Sequence, residues 1–259
     1  MLLCLYCMAL NDPPEVLGGF YYGKLLDQTA LIQPTVFAKV IKLIKRRIKM
    51  VEQESIRKQV LSKKIFSLTG IVKVGLLSAI AFVLMLLEFP MPIFPAFLKM
   101  DISDLPALIG GFSLGPMAAI IIEFIKNIFH IIFKNDGTGG VGNLANFLVG
   151  ISFTVPAAIV YIRNKTRRSA LIGMVLGTLF LVLLSSLANY YVLIPFYTKL
   201  YFDGNLENLL AVMAAANKNI TNVKLYVLYA VIPFNLIKAL VTSLITLLIY
   251  KRVSPILKK

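Results

Sequence analysis

The chain has 259 residues, 58% of them hydrophobic and only 15% charged, with a formal charge of +15. With a mean hydropathy of +0.82, this composition excludes a soluble domain and describes a polytopic membrane protein. The basic residues stand in short runs beside apolar segments, not interleaved with aromatics. That excludes a nucleic-acid-binding face and follows the positive-inside pattern.

Residues 1–49 mix turn residues, scattered aromatics and a basic patch from Lys42 to Lys49, with no spanning run. Cys4 and Cys7 are the only cysteines and there is one His, so a four-ligand zinc site cannot be completed and no metal is expected. Met1 to Leu10 lacks the basic start of a signal peptide. Residues 50–69 form a polar, basic segment leading into the first membrane helix. The upstream 1–49 therefore reads as an extension, either disordered or the product of a mis-set start at a chain that begins with Met50. The alternative is an interfacial amphipathic helix over 36–49, since Val36, Val40, Leu43 and Ile44 share one face.

The first span is expected from Ile71 to Phe89. It carries Gly75 and Ala79 four apart, a small-residue pair that lets another helix approach closely. Pro90, Pro92 and Pro95 then forbid helix and dictate an extended loop to Ser103. Asp104, with Pro106 two residues on, reads as a helix start with Asp104 as its cap. The apolar stretch from Leu105 to Phe133 is too long for one span and is interrupted between Gly110 and Pro116. The basic segments around Lys64, Arg163 to Arg168, and Lys251-Arg252 should share the cytoplasmic side. An even number of crossings must then separate Lys64 from Arg163, which makes the middle block a hairpin of two short helices.

The second helix of that hairpin carries Glu123, Lys126, Asn127, His130 and Lys134. Four of these, Glu123, Asn127, His130 and Lys134, lie along one face. Such a stripe marks either a functional interior or a structural contact such as Glu123–Lys126. Gly137 to Gly142 matches G-x-G-x-x-G, but a membrane helix precedes it and no acid follows at the required distance. It is read as a glycine-enabled outer loop and not as a dinucleotide site. Further spans are expected from Asn143 to Ile162, from Ala170 to Ile194 with Pro195 closing it, and from Tyr226 to Tyr250. A long outer loop, 196–223, should hold a short helix from Leu206 to Ala216. The expected fold is all-α, a six-helix membrane bundle over 70–251 with both termini cytoplasmic and a basic tail, 252–259.

Inside the last span, Asn235 and Lys238 project from one face, and Pro233 removes a backbone donor just before them. A buried ammonium costs at least roughly 2.5–3.5 kcal/mol in a bilayer, so Lys238 needs either a carboxylate on a neighbouring helix or a polar ligand. An intramembrane enzyme would need an acid, base or metal cluster. Glu123, His130 and Asp101 are the only candidates, and they form no motif. No G-x-x-x-x-G-K-[ST] phosphate loop occurs, so any energy from ATP must come from other subunits.

Four stretches in this order carry a family resemblance: Lys99 to Phe112, Gly139 to Gly150, Asn189-Tyr190-Tyr191, and Pro233 to Lys238. Together they make the region from Gly70 to Lys251 similar to the riboflavin-binding S components of energy-coupling factor (ECF) vitamin transporters. The resemblance implies a six-helix bundle in the cell membrane holding one riboflavin near its outer face, as a transported ligand and not a cofactor. It implies contacts from Asn189, Asn235 and Lys238, and more weakly from Lys99, Asp101 and Tyr197, for which a loop salt bridge or a rim position is the alternative. A carboxamide matches the donor–acceptor edge of a flavin ring in either orientation, and Phe, Tyr and Leu walls suit the ring system. The partners implied are membrane lipid, a transmembrane coupling subunit docked near Gly75 and Ala79, and two ATP-binding subunits. A sister S component for another vitamin is the main alternative. In the glycine-rich stretch, Asn143 stands where the family pattern suggests an acid.

Overall fold

The structure, a computed structural model, describes residues 42–49, 65–134 and 138–258, the side chains of 251–258 excepted. Residues 42–49 are helical and belong to a unit separate from the membrane domain, with Leu43, Ile44 and Ile48 exposed. The remaining expectations for residues 1–41 and 50–64 lie outside the described residues.

The membrane domain is helical. It opens with α1 (Leu68–Leu86), capped by Ser67, whose side chain accepts from the Gly70 N–H at 3.1 Å. A loop follows, pinned by two short antiparallel strands, β1 (Phe89–Pro90) and β2 (Lys99–Met100), which pair Phe89 with Met100. The apolar stretch beyond it divides, as expected, at Gly115: α2 is Asp104–Leu114 and α3 is Pro116–Phe133. Gly115 adopts φ 118°, a conformation open to glycine, and Pro116 starts α3 where a missing N–H costs nothing.

Then come α4 (Val141–Asn164) and α5 (Arg167–Ala188), the latter started by a capping box between Thr166 and Ser169. A π-helical turn (Asn189–Leu193) leads into α6 (Ile194–Tyr201), so Pro195 does not close the span as expected. The proline falls in the first turn after the wide π turn, and the helix continues to Tyr201. A short α7 (Leu206–Ala216) follows, as expected, capped by Asn205. The last span repeats the device: α8 (Val223–Tyr226), a π turn (Val227–Val231), then α9 (Ile232–Lys258) with Pro233 at its start.

Among the described residues, five helices are long and apolar enough to cross a membrane. Helix α2, by contrast, has 11 residues. That is about 16 Å of helix against about 30 Å of hydrocarbon. It is nonetheless almost wholly buried, packed under α1, α3, α4 and α9. The long helices expose Leu76, Val83, Leu179, Leu183, Leu240 and Leu244. An outward apolar surface of this extent is suited to lipid tails as solvent.

Helix α4 meets α5 closely because Gly173 and Gly177, four apart, leave room for the Ala157 and Phe153 backbone. A Cβ at Gly177 would overlap the Phe153 carbonyl oxygen, which has no side-chain freedom to move away. Gly177→Ala is expected to lower stability by about 1–3 kcal/mol. Gly75→Ala, with nothing within 4 Å of the added carbon, should instead raise it by up to about 1 kcal/mol, the helix-propensity gain of alanine over glycine. Thermal melting of the two variants in detergent checks the contrast, and equal melting points would mean that α4 and α5 can separate without cost.

Candidate functional site

The loop after α1 folds over one end of the bundle. Phe94 and Phe97 reach down from it onto Phe234 (5.4 Å between ring centres), Tyr197 and Tyr226 (5.9 Å each), and Leu209 and Met213 of α7 complete this apolar cluster. Beneath it lies a cavity of about 290 Å³, near the lower limit for small-molecule sites. All six residues expected to contact ligand line it: Lys99, Asp101, Asn189, Tyr197, Asn235 and Lys238. Phe97, Leu98, Val149, Leu193, Leu209 and Phe234 supply apolar wall.

The two π turns present the asparagines. Asn189 begins the first, donates from Nδ2 to the Ser185 carbonyl (2.9 Å) and accepts the Tyr226 hydroxyl at Oδ1 (3.1 Å). Asn235 follows the second, and its Nδ2 donates to the Val231 carbonyl (2.8 Å). Each amide is thus held by one of its two donor hydrogens, and the rest of its capacity remains for another group.

Lys238 does answer carboxylates, one in the loop and one on a neighbouring helix. Its Nζ donates to Asp101 Oδ2 of the loop at 2.8 Å and lies 3.6 Å from Asp104 Oδ2, the first residue of α2. Asp104 is not the helix cap that the sequence suggested. Its carboxylate turns inward to bond Lys126 on α3, while Lys126 also meets Glu123 at 2.8 Å and donates to Ser103 Oγ at 2.9 Å. A buried ammonium 22 positions away outcompetes the local N–H groups for that carboxylate, because leaving Lys126 unpaired costs far more than leaving a cap unmade. The result is a buried cluster of three carboxylates and two ammoniums that joins loop, α2, α3 and α9.

In the loop, burial opposes the charged form of Asp101. The Lys238 and Lys126 ammoniums, with hydrogen bonds from Lys238 and Ser103, more than offset it and hold the carboxyl well below its usual range. Glu88 is depressed in the same sense, with burial again opposed by Lys134 and Lys99. Glu88 is the residue the sequence reading missed. It accepts from Lys99 at 2.9 Å and Lys134 at 2.7 Å, so the alternative of a loop salt bridge describes Lys99 well. Of the α3 stripe, Glu123, Lys126, Asn127 and His130 are buried and Lys134 is half-buried. His130 and Asn143 also face each other, with Nδ1 2.7 Å from Oδ1, so Asn143 tethers α4 to α3 without an ion pair.

A helical membrane bundle with a loop-covered, asparagine-lined cavity at one end is the architecture of a transport component that holds its solute. The family model for the ECF transporter substrate-specific component matches residues 69–250, and the chain belongs to that family. It is similar to the riboflavin transporter RibU of Staphylococcus aureus (strain TCH60), with 34% identity over 189 residues, 73% of this chain and 92% of the relative. It is also similar to the riboflavin transporter FmnP of Bacillus subtilis (strain 168), with 35% identity over 186 residues, 71% of this chain and 92% of the relative. Among solved structures, the S component of a bacterial ECF transporter superposes with a TM-score of 0.56 at 33% identity, over 73% of this chain and 97% of that one. The protein is therefore a multi-pass membrane protein of the transport class.

Proposed function

We propose that this chain captures riboflavin at the outer face of the cell membrane and passes it inward, unchanged, when docked to an ATP-driven module. The observation that carries this reading is the convergence of Asn189, Asn235 and Lys238 on one loop-covered cavity, in a chain similar to two riboflavin transporters over 92% of each. The ring of riboflavin alternates donors and acceptors along one edge, which the spare capacity of the two amides matches. The aromatic and aliphatic walls suit its faces. In this reading the module comprises a transmembrane coupling subunit and two ATP-binding subunits, and both termini of the chain are cytoplasmic. Gly75 and Ala79 are exposed on α1, and a Cβ at Gly75 would touch nothing within the chain. That small-residue patch supports a docking face for the coupling subunit.

The test is quenching of riboflavin fluorescence by the detergent-purified protein. Saturable quenching is expected, and Asn235→Ala should weaken it by about tenfold or more, the loss of one or two buried hydrogen bonds. An absence of quenching by the wild-type protein, with another vitamin bound instead, would reassign the ligand within the same fold.

A further inference from the structure

The asparagines and Lys238 account for one part of the cavity wall and leave another part without a role. His130, on α3, is 2% exposed and lies in the lining. Its Nδ1 is 2.7 Å from Asn143 Oδ1. A carboxamide oxygen can only accept, so Nδ1 carries the hydrogen, and in the neutral ring Nε2 becomes an acceptor. That atom is closed off from solvent and has no hydrogen-bond partner among the described residues. The carboxylate nearest to it, Glu88 Oε1 at 4.0 Å, is itself an acceptor and already holds Lys99 and Lys134. Asn146 lies three residues after Asn143 on α4 and lines the same cavity, and its Oδ1 is likewise buried and without a partner among the described residues.

A buried polar atom left unmade costs about 1–3 kcal/mol. Two such acceptors in one cavity wall indicate a bound group that brings donors. An apolar group would leave both acceptors empty. A carboxylate or phosphate would bring further acceptors against His130 Nε2, Asn146 Oδ1 and Glu88. A hydroxyl donates and accepts, so it satisfies His130 Nε2 and also suits either orientation of the Asn146 carboxamide. We infer that His130 and Asn146 form a hydroxyl-recognising subsite, distinct from the ring-recognising asparagines, which takes the polyol chain of the ligand. This inference rests on the riboflavin reading. It gives α3 and α4 a share in specificity, and it gives the His130–Asn143 bond the task of fixing the tautomer that presents a bare Nε2.

The test compares riboflavin with lumiflavin, the same ring system bearing a methyl group in place of the ribityl chain. Both are titrated by fluorescence quenching into the full-length detergent-purified protein and into His130→Phe and Asn146→Leu. Each substitution is expected to weaken riboflavin by about tenfold and to leave lumiflavin within about twofold. Asn146 is on a different helix and only partly buried, so its variant carries the test alone if His130→Phe does not fold. Equal losses for both flavins, or no loss for either, would overturn the subsite while leaving riboflavin as the ligand. A wild-type protein that binds neither flavin would overturn the riboflavin reading, and the subsite with it.

Discussion

Lys126→Met should be among the most damaging single substitutions in the membrane domain, lowering stability by about 3–5 kcal/mol. The Lys126 side chain is fully buried and holds Asp104, Glu123 and Ser103 at once. Methionine fills a similar volume but leaves the two carboxylates facing each other with no cation between them. Repulsion and stranded charge, not a cavity, are the cause. The triple variant with Asp104→Asn and Glu123→Gln should therefore recover most of the loss, because neutral groups of the same shape remove the charge that lost its partner. Thermal melting in detergent reads both. A single variant as stable as the wild type, or a triple variant no better than the single, would show that these groups are not held as charges.

The second large effect separates holding the fold from holding the ligand. Lys238 bonds Asp101 and neighbours Asp104, so Lys238→Met should again cost about 3–5 kcal/mol, because it leaves the buried Asp101 carboxylate without its cation. Adding Asp101→Asn should restore most of that stability, and the four-membered mutant cycle gives the coupling between the two residues directly. Riboflavin affinity should not return with it. Lys238 has two further donor hydrogens beyond the one given to Asp101. Losing a charged donor to the ligand corresponds to a weakening of about ten- to a hundredfold. A double variant that is stable and binds normally would assign Lys238 to the fold alone.

How much of this was legible in the sequence depends on the range of the interaction concerned. The long helices follow from hydropathy, because a bilayer acts on every residue of a segment in the same way. The division of 104–133 followed from counting basic loops, together with the glycines and Pro116. The Asn235–Lys238 pair was legible because its geometry is local to one helix. Partnerships between distant segments were not. Nothing near Asp104 distinguishes a cap from a partner of Lys126, and nothing near Glu88 announces Lys134, 46 positions on. The packing role of Gly173 and Gly177 was equally hidden, since a small residue in an apolar run looks the same whether it faces lipid or another backbone. Pro195 misled for a different reason. A proline removes one donor but does not by itself end a helix packed in a bundle: the chain runs on past Pro195, just as α4 runs through Pro156.

Those two π turns also change how the spans should be drawn. A π turn amounts to one residue added to an α-helix, and each residue advances the helix by about 100°. The wheel on which residues 167–188 are projected is therefore out of phase with the wheel for 194–201, and the same holds on either side of 227–231. A relative lacking the extra residue would rotate Asn189 or Asn235 off the cavity while keeping an unbroken hydropathy profile. Alignment gaps of one position inside these two spans thus record a change of binding face, even where no loop has changed length.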